Sequence, residues 1–287
     1  MTTTGERPAR TAPPAAAARW ARGASTGGLT PAAALGLGAG VLWLSLIVLL
    51  PIAAIVVTSF EGGAGAFWDS IVNEEALSTI RLTVGASLLV SAVNAVVGTL
   101  IAWVLVRDRF PGQRAVEVVI DIPFALPTIV AGLVLLSLYG PNSPLGLHWA
   151  NTERAVTLAL AFVTLPFIVR TVQPVLEELD TDVEEAAASL GATRLTTFRR
   201  VILPSLVPAI AAGAALSFAR AISEYGSLVL LSGNLPFKTE VVSVRVLAFI
   251  EGGNTAAAAA LASIMLFVAL VVIVALDLLQ RRVVRRG

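Results

Sequence analysis

Three polar residues recur at helical spacing inside an otherwise apolar stretch of the chain. Ser217, Arg220 and Glu224 are separated by three and four residues, which places them on one helix face, and Tyr225 borders that face. Ionisable residues are costly inside a bilayer and usually face a cavity or a partner side chain. Two interpretations stay open. The set is either a polar lining for an anion path, in which Arg220 attracts a dianion, or a neutral Arg220–Glu224 pair that only fixes helix packing.

Other chemistry finds little support in the residue types present. The chain has no Cys, and its one His, His148, falls in a predicted loop, so Cys nucleophiles, disulfides and Cys-ligated metals are excluded. Lys238 is the only Lys, and the run from Gly233 to Thr239 is one residue too short for a phosphate-binding loop. We therefore expect no catalytic residue, no metal and no ATP site on this chain.

The elements that position these residues are membrane spans. The chain is 56% hydrophobic and 14% charged, whereas soluble domains carry about 25% charged residues. A bilayer core about 30 Å thick requires about 20 mostly apolar residues per helix. Six segments meet that length, near residues 33–59, 79–106, 115–138, 155–174, 205–232 and 255–280. Membrane lipid is therefore an expected partner, and the net charge of +1 gives no argument for nucleic acid.

Charges in the connections predict the orientation of these spans. Arg is in excess in residues 1–30, in 107–114 and in 281–286, which the positive-inside rule places in the cytoplasm. The acidic first loop, 60–75, fits the opposite side. We predict a disordered cytoplasmic tail at 1–30, because its Ala, Pro and Thr cannot form a core. A six-span domain over 33–282 follows, with both termini cytoplasmic.

Prolines and a few charges fall inside the predicted spans. Pro123 and Pro127 interrupt the third span and Pro166 the fourth. Such breaks are tolerated where neighbouring helices or a water-lined path satisfy the freed carbonyls, although kinks that only improve packing are more common. Asp121 and Arg170 fall near span ends, where a charge costs little by snorkelling. We assign these two no role beyond helix contacts.

One polar segment, from Glu185 to Pro204, lies between the fourth and fifth predicted spans. A capping box of Thr181 and Glu184 predicts a helix start just before it, and Gly191 predicts the helix end. The connection from residue 177 to 200 carries six acidic residues against three Arg. An anionic helix is repelled by a negative inner leaflet. This favours docking of another protein over the alternative, an interfacial linker helix lying on lipid headgroups.

The same segment resembles the EAA signature of bacterial ABC importer permeases, with Val where the family usually has Ile. The matching residues are Glu185, Ala186, Ala187, Gly191, Val201, Leu203 and Pro204. The resemblance implies that these residues dock an ATPase subunit and that the helix after Glu185 is a coupling helix within a loop over residues 175–204.

Two longer runs narrow the family. The runs SFARAISEYGSLVLLSGNLPFKTEVVSV, from Ser217, and EVVIDIPFALPTIVAGLVLLSLYG, from Glu117, are similar to sulfate/thiosulfate permeases of the CysT type and less closely to molybdate permeases. The run from Gly233 to Glu240 favours sulfate, and Ser223 departs from the Gly that the family often has. The resemblance implies an all-α integral membrane protein with six transmembrane helices and the type I ABC importer (MetI-like) permease fold.

The resemblance also implies function and partners. The chain would be one transmembrane subunit of an ATP-driven importer for sulfate or thiosulfate in the bacterial inner membrane, without a cofactor of its own. Its partners would be an ATPase dimer that binds ATP and Mg, a second, CysW-like permease, and a periplasmic sulfate-binding protein that docks near Lys238 and Thr239. A molybdate or tungstate permease is the alternative. A secondary transporter or an intramembrane enzyme is less favoured, since paired carboxylates, a repeat and a nucleophile are not apparent.

Overall fold

The computed structural model describes residues 30–284, which contain helices and connections and no strand. The predicted tail, apart from Thr30, lies outside the described residues. The described residues divide into two units, with the boundary between Ala53 and Ala54. In the first unit, helix α1 begins at Pro31 after Thr30, whose hydroxyl accepts a hydrogen bond from the amide of Ala33. As a candidate span, α1 covers Pro31–Ser59 and so runs past the boundary between the units.

The second unit is built from helices of very different length. After α1 come α2 (Gly63–Val72), α3 (Glu74–Arg107), α4 (Gln113–Ala125), α5 (Thr128–Tyr139), α6 (Glu153–Glu178), α7 (Thr181–Ser189), α8 (Leu203–Ile222), α9 (Gly226–Leu231), α10 (Val242–Glu251) and α11 (Thr255–Val284). A short helical turn, Arg194–Thr197, and a π-helical turn, Phe198–Ile202, lead directly into α8.

The long helices confirm most of the predicted membrane spans. Five helices among the described residues are long and apolar enough to cross a membrane, and a sixth span results if α4 and α5 count as one. The third predicted span, 115–138, is wrong as a continuous helix, because α4 and α5 meet at an angle of 116°. Pro127 causes this break, since it has no N–H to donate and it disfavours helical geometry at Leu126.

The fifth predicted span, 205–232, is wrong at its end. Helix α8 stops at Ile222, and α9 is a separate helix. The hydroxyl of Ser223 donates to the carbonyls of Ala219 and Arg220, which satisfies backbone groups at the end of α8. The chain then turns at Glu224, so that residues on either side of this point belong to different helices.

The core of the second unit lies where α3, α6 and α8 pack together. Ile168 of α6 is fully buried between two glycines, Gly98 of α3 and Gly213 of α8. A Cβ atom added at Gly98 would lie 2.7 Å from Ile168 Cγ2, and one added at Gly213 would lie 3.2 Å from Ile168 Cα. Small residues therefore allow the three helices to approach each other at this level.

Gly98→Val is expected to destabilise the protein by about 1–3 kcal/mol, because the added side chain overpacks the contact with Ile168. The measurement is the Tm of the purified protein in detergent. Gly85→Val is the matched control on the same helix, since no heavy atom lies within 4 Å of a Cβ at that position. Ile168→Ala should recover part of the loss, and equal Tm values for the two valine variants would contradict this packing.

Candidate functional site

Helix α7 begins next to the C-terminal ends of α3 and α6. Its N-cap is Asp180, whose carboxylate accepts a hydrogen bond from the amide of Asp182 at 3.1 Å. The predicted capping box of Thr181 and Glu184 is therefore wrong. The cap lies one residue earlier than predicted, and the carboxylate of Glu184 pairs with Arg107.

The predicted end of this helix at Gly191 is confirmed. Gly191 has φ +82°, and the amides of Gly191 and Ala192 donate to the carbonyls of Ala188 and Ala187 at 2.9 and 3.0 Å. This hydrogen-bond pattern is a Schellman motif, which requires the left-handed conformation that glycine adopts without strain. Gly191 thus sets the direction in which the chain leaves α7 towards α8.

One turn at the end of α3 contacts both the start of α7 and the π-helical turn that leads into α8. The Arg107 Nε atom donates to Glu184 Oε1 at 3.0 Å, and its Nη2 donates to the carbonyl of Leu179 at 3.2 Å. The Arg107 guanidinium lies 5.9 Å from the centre of the Trp103 ring, which packs edge-on against Phe198 at 5.2 Å. Arg107 and Trp103 thereby connect α7, and the turn that leads into α8, to the end of a 34-residue helix.

Only part of the predicted ATPase-docking set is exposed. Glu185, Ala186, Gly191 and Pro204 are exposed, whereas Ala187 and Leu203 are half-buried and Val201 packs against a buried cluster between α3, α6 and α8. Large apolar side chains nearby are open to solvent, namely Val183, Leu190 (88% exposed) and Leu195. The exposed surface therefore combines carboxylates with aliphatic side chains, a composition that fits a protein groove.

The end of α8 divides the three residues predicted to share a helix face, and Tyr225, predicted to border it, also lies beyond that end. Glu224 lies beyond that helix and is buried, and its Oε1 accepts from the amide and the hydroxyl of Ser227 at 2.8 and 2.9 Å. Its Oε2 lies 2.7 Å from Arg220 Nη2, an ion-pair contact without hydrogen-bond geometry. The predicted single face is wrong, because Glu224 holds the first turn of α9 and does not continue α8.

The remaining members of this set differ in exposure. Ser217 is fully buried, Tyr225 is half-buried against the core, and the Arg220 side chain keeps 30% of its surface exposed. Helix α9 itself lies very close to α5, since a Cβ added at Gly132 would lie 2.7 Å from the carbonyl oxygen of Ser227. These contacts are those of the packing interpretation, and an anion path along this set remains a proposal.

Glu224→Ala is expected to lower stability by about 1–3 kcal/mol, because it removes the acceptor of the Ser227 amide and leaves Arg220 without its partner. Glu224→Gln keeps an acceptor oxygen and should cost less. The measurement is the Tm of each purified variant beside its transport activity. A Glu224→Ala variant that keeps its Tm and loses transport would contradict the packing role and favour the path.

The two residues predicted to dock the binding protein, Lys238 and Thr239, differ in exposure. Lys238 is exposed and borders a groove of about 600 Å³ that Arg81, Glu74 and Glu153 also line. Thr239 is buried, and its hydroxyl accepts a hydrogen bond from the amide of Leu235 at 3.1 Å. The prediction that Thr239 presents a docking surface is therefore wrong, because this side chain stabilises the loop from within.

Sequence reasoning missed a buried charge cluster at the same end. Arg245 is 8% exposed and contacts Glu75 at 2.7 Å and Glu240 at 3.0 Å, with the Phe249 ring 5.0 Å away. Hydrogen bonding to Glu75 raises the pKa of Arg245, so the guanidinium stays charged. The cluster links the start of α3 to α10. The lone basic residue within apolar α10 was its only sequence signal.

A second charge network joins α4 to α6. Arg170 Nε donates to Asp121 Oδ1 at 2.8 Å, a second ion-pair contact joins the same two groups, and Arg170 Nη1 donates to Gln173 Oε1 at 3.0 Å. Gln173 in turn donates to Glu177 at 3.1 Å. The helix contact predicted for Asp121 and Arg170 is confirmed. Among residues 30–284, no group of three His, Asp or Glu side chains is placed to hold a metal ion.

Comparison with known proteins defines the class. Residues 94–286 match the family of binding-protein-dependent transport system inner membrane components, and the chain belongs to this family. It is a multi-pass membrane protein with the type I ABC importer permease fold.

Individual relatives are similar over most of their length. The sulfate transport system permease protein CysT of Salmonella typhimurium is 42% identical over 263 residues, which cover 89% of this chain and 95% of the relative. The protein of the same name from Synechocystis sp. is 46% identical over 248 residues, 84% and 87% of the two chains. A solved bacterial alginate ABC transporter, in complex with an alginate pentasaccharide-bound periplasmic protein, matches in fold with a TM-score of 0.72 at 19% identity, over 87% of this chain and 94% of that one.

Proposed function

We propose that this chain is one transmembrane subunit of an ATP-driven importer of sulfate and thiosulfate. The observation that carries the proposal is the identity of 42% and 46%, over more than four fifths of the chain, to permeases named for sulfate transport. The run from Gly233 to Glu240, which favoured sulfate over molybdate, forms the ordered loop between α9 and α10.

Each of the two ends of the second unit is assigned a different proposed partner. An ATPase dimer, which binds ATP and Mg, docks on α7, and a periplasmic sulfate-binding protein docks near Lys238 at the other end of α3. These ends are about 50 Å apart, because α3 has 34 residues at about 1.5 Å per residue. A CysW-like permease completes the path. In this arrangement α7 and both termini lie in the cytoplasm, and the membrane is the bacterial inner membrane.

The proposed mechanism uses the chain as a mechanical element. Closure of the ATPase dimer on ATP displaces α7, and the Arg107–Glu184 pair transmits that displacement to α3. The Trp103–Phe198 contact moves the start of α8 in the same step, and the tight packing around Ile168 carries α6 with them. ATP binding can shift the access of the path only through contacts that differ between the two states. The α7 contact with the ATPase is the proposed source of that difference.

The complete complex, reconstituted with the sulfate-binding protein in proteoliposomes, tests the proposal. We expect ATP-dependent uptake of labelled sulfate that unlabelled thiosulfate reduces and molybdate does not. Uptake of molybdate in preference to sulfate would overturn the proposed substrate. Uptake driven by a proton or sodium gradient without ATP would overturn the proposed class of transporter.

A further inference from the structure

A polar face runs along α4 and α6 on the side of the unit that carries α7. It consists of Asp121 and Arg170 with their hydrogen-bonded neighbour Gln173, and of Glu117, which lies one helical turn before Asp121 on the same face of α4. We call it the α4/α6 polar face. The side chains of Arg170 and Asp121 are 35% and 43% exposed, so the pair is open on one side.

The position of Arg170 makes contact with lipid unfavourable. Helix α6 has 26 residues, a length of about 39 Å, and Arg170 lies eight residues, about 12 Å, before its end at Glu178. If α6 is centred across a hydrocarbon layer of about 30 Å, Arg170 lies about 7 Å inside that layer. Snorkelling was predicted to make a charge at Arg170 inexpensive, but the guanidinium is paired with Asp121, and an ion pair that faced hydrocarbon at this depth would cost free energy. The open side of the pair therefore faces water or another protein.

The backbone beside this face also requires contact with water or with another protein. Pro174 cannot donate a hydrogen bond to the carbonyl of Arg170, which belongs to this face. The break between α4 and α5 adds an irregular connection at Leu126–Pro127. Irregular backbone at membrane depth is tolerated where it is buried in protein or lines a water-filled cavity. Two breaks in backbone hydrogen bonding, at Pro174 and at Leu126–Pro127, thus lie on the two helices that carry the half-exposed ion pair.

Water fits this face better than a protein partner does. The core of a protein interface is depleted in charged residues, whereas this face presents Arg170, Asp121 and Glu117 together. Three of the five N–H groups of Arg170 are used within the chain, and water can satisfy the others without a fixed partner. We infer that the α4/α6 polar face is wetted in the assembled transporter and lines the α7 side of its translocation path, an inference that rests on the proposed function.

The pairing of Arg170 also fits the passage of a dianion. An unpaired guanidinium on a path would hold the oxyanion tightly, whereas conduction requires binding weak enough for the ion to leave. Asp121 neutralises Arg170, so the face offers hydrogen bonds to a hydrated anion without a strong site. The α4/α6 polar face is thus a surface for release and not for capture.

Cysteine accessibility tests the inference directly, because the chain contains no Cys. Glu117→Cys is placed on the face, and Val119→Cys lies two residues away on the opposite side of α4, where Val119 is 60% exposed. The two positions differ by about 3 Å along the helix axis, so depth alone predicts similar reactivity. In nanodiscs that hold the full complex, a charged methanethiosulfonate should modify position 117 at least about tenfold faster, since the reaction needs a thiolate in water.

The dependence of the modification rate on nucleotide state distinguishes a translocation path from a surface that is always in contact with water. With an ATPase partner arrested in its ATP-bound state, the rate at position 117 should fall several-fold, because alternating access changes which side of the path is open. Gln173→Cys on α6 provides a second position on the same face if Glu117→Cys does not assemble. Equal modification rates at 117 and 119 would overturn the inference, and so would a rate at 117 that does not change with nucleotide state. A crosslink from position 117 to the second permease, together with low modification at 117, would show that protein covers this face and would also overturn it. ATP-dependent sulfate uptake is measured separately in the complex without any substitution, so failure of the inference is distinct from failure of the proposed function.

Discussion

Glu185→Lys is expected to reduce ATP-driven uptake by about tenfold or more, while the membrane helices stay folded. The Glu185 side chain is exposed and forms no ion pair with the side chains that the structure describes, so Glu185→Lys removes none of the described ion pairs. Juxtaposing like charges across an interface costs several kcal/mol. A loss of about 1.4 kcal/mol in docking free energy already corresponds to a tenfold weaker complex. The measurements are initial uptake rate and co-purification of the ATPase.

Glu178→Lys is the matched control for this change. Glu178 is also an exposed acidic residue of the same connection, and it lies at the end of α6, outside α7. It should keep most of the uptake activity, and both variants should keep the Tm of the unchanged protein. Equal losses for Glu178→Lys and Glu185→Lys would show that general acidity matters, and the assignment of α7 as the docking helix would then be wrong.

Arg107→Glu is expected to separate ATP hydrolysis from transport. The Arg107 and Glu184 side chains are 15% and 26% exposed, and their pair is the contact that fixes α7 to α3. Removing one partner of such a hydrogen-bonded pair costs about 1–3 kcal/mol, and here α7 would move without displacing α3. We expect the number of ATP molecules hydrolysed per anion imported to rise several-fold, which is measured from both rates in the same proteoliposomes.

The charge-swapped variant decides whether this pair acts as a link. Arg107→Glu combined with Glu184→Arg restores opposite charges and should recover part of the coupling, whereas Glu184→Arg alone should not. A double variant no better coupled than Arg107→Glu would contradict the link. An Arg107→Glu variant with normal coupling would also contradict it, and α3 would then receive the motion by another contact.

The long helices could be predicted from the sequence because length and hydropathy alone decide them. The break between α4 and α5 could not, because Pro127 in an apolar run is equally compatible with a gentle kink and with the observed angle of 116°. The end of α8 could not be predicted either, because the local sequence pattern continues past it. Ser217, Arg220 and Glu224 keep helical spacing, and the hydrogen bonds from Ser227 show that Glu224, in the turn after α8, holds the first turn of another helix.

The candidate site likewise contains features that could be predicted from the sequence and features that could not. The end of α7 at Gly191 could be predicted, since a left-handed residue is a local requirement that glycine meets. The roles of the adjacent residues Glu184 and Glu185 could not be told apart locally. Their difference depends on Arg107, which lies 77 residues before Glu184 in sequence and reaches it only after α3 and α6 have packed. The Arg245 cluster likewise joins residues up to 170 positions apart.

The most direct test of the central claim, that this chain receives its energy through α7, is a crosslink from that helix to the ATPase. Ala186→Cys, carrying a thiol-reactive photo-crosslinker, presents an exposed probe on α7, and Phe237→Cys presents one near the other end of α3. In the assembled complex we predict that the probe at 186 crosslinks to the ATPase, with a yield that changes on ATP binding, and that the probe at 237 does not. A crosslink to the ATPase from 237 and none from 186 would contradict the account.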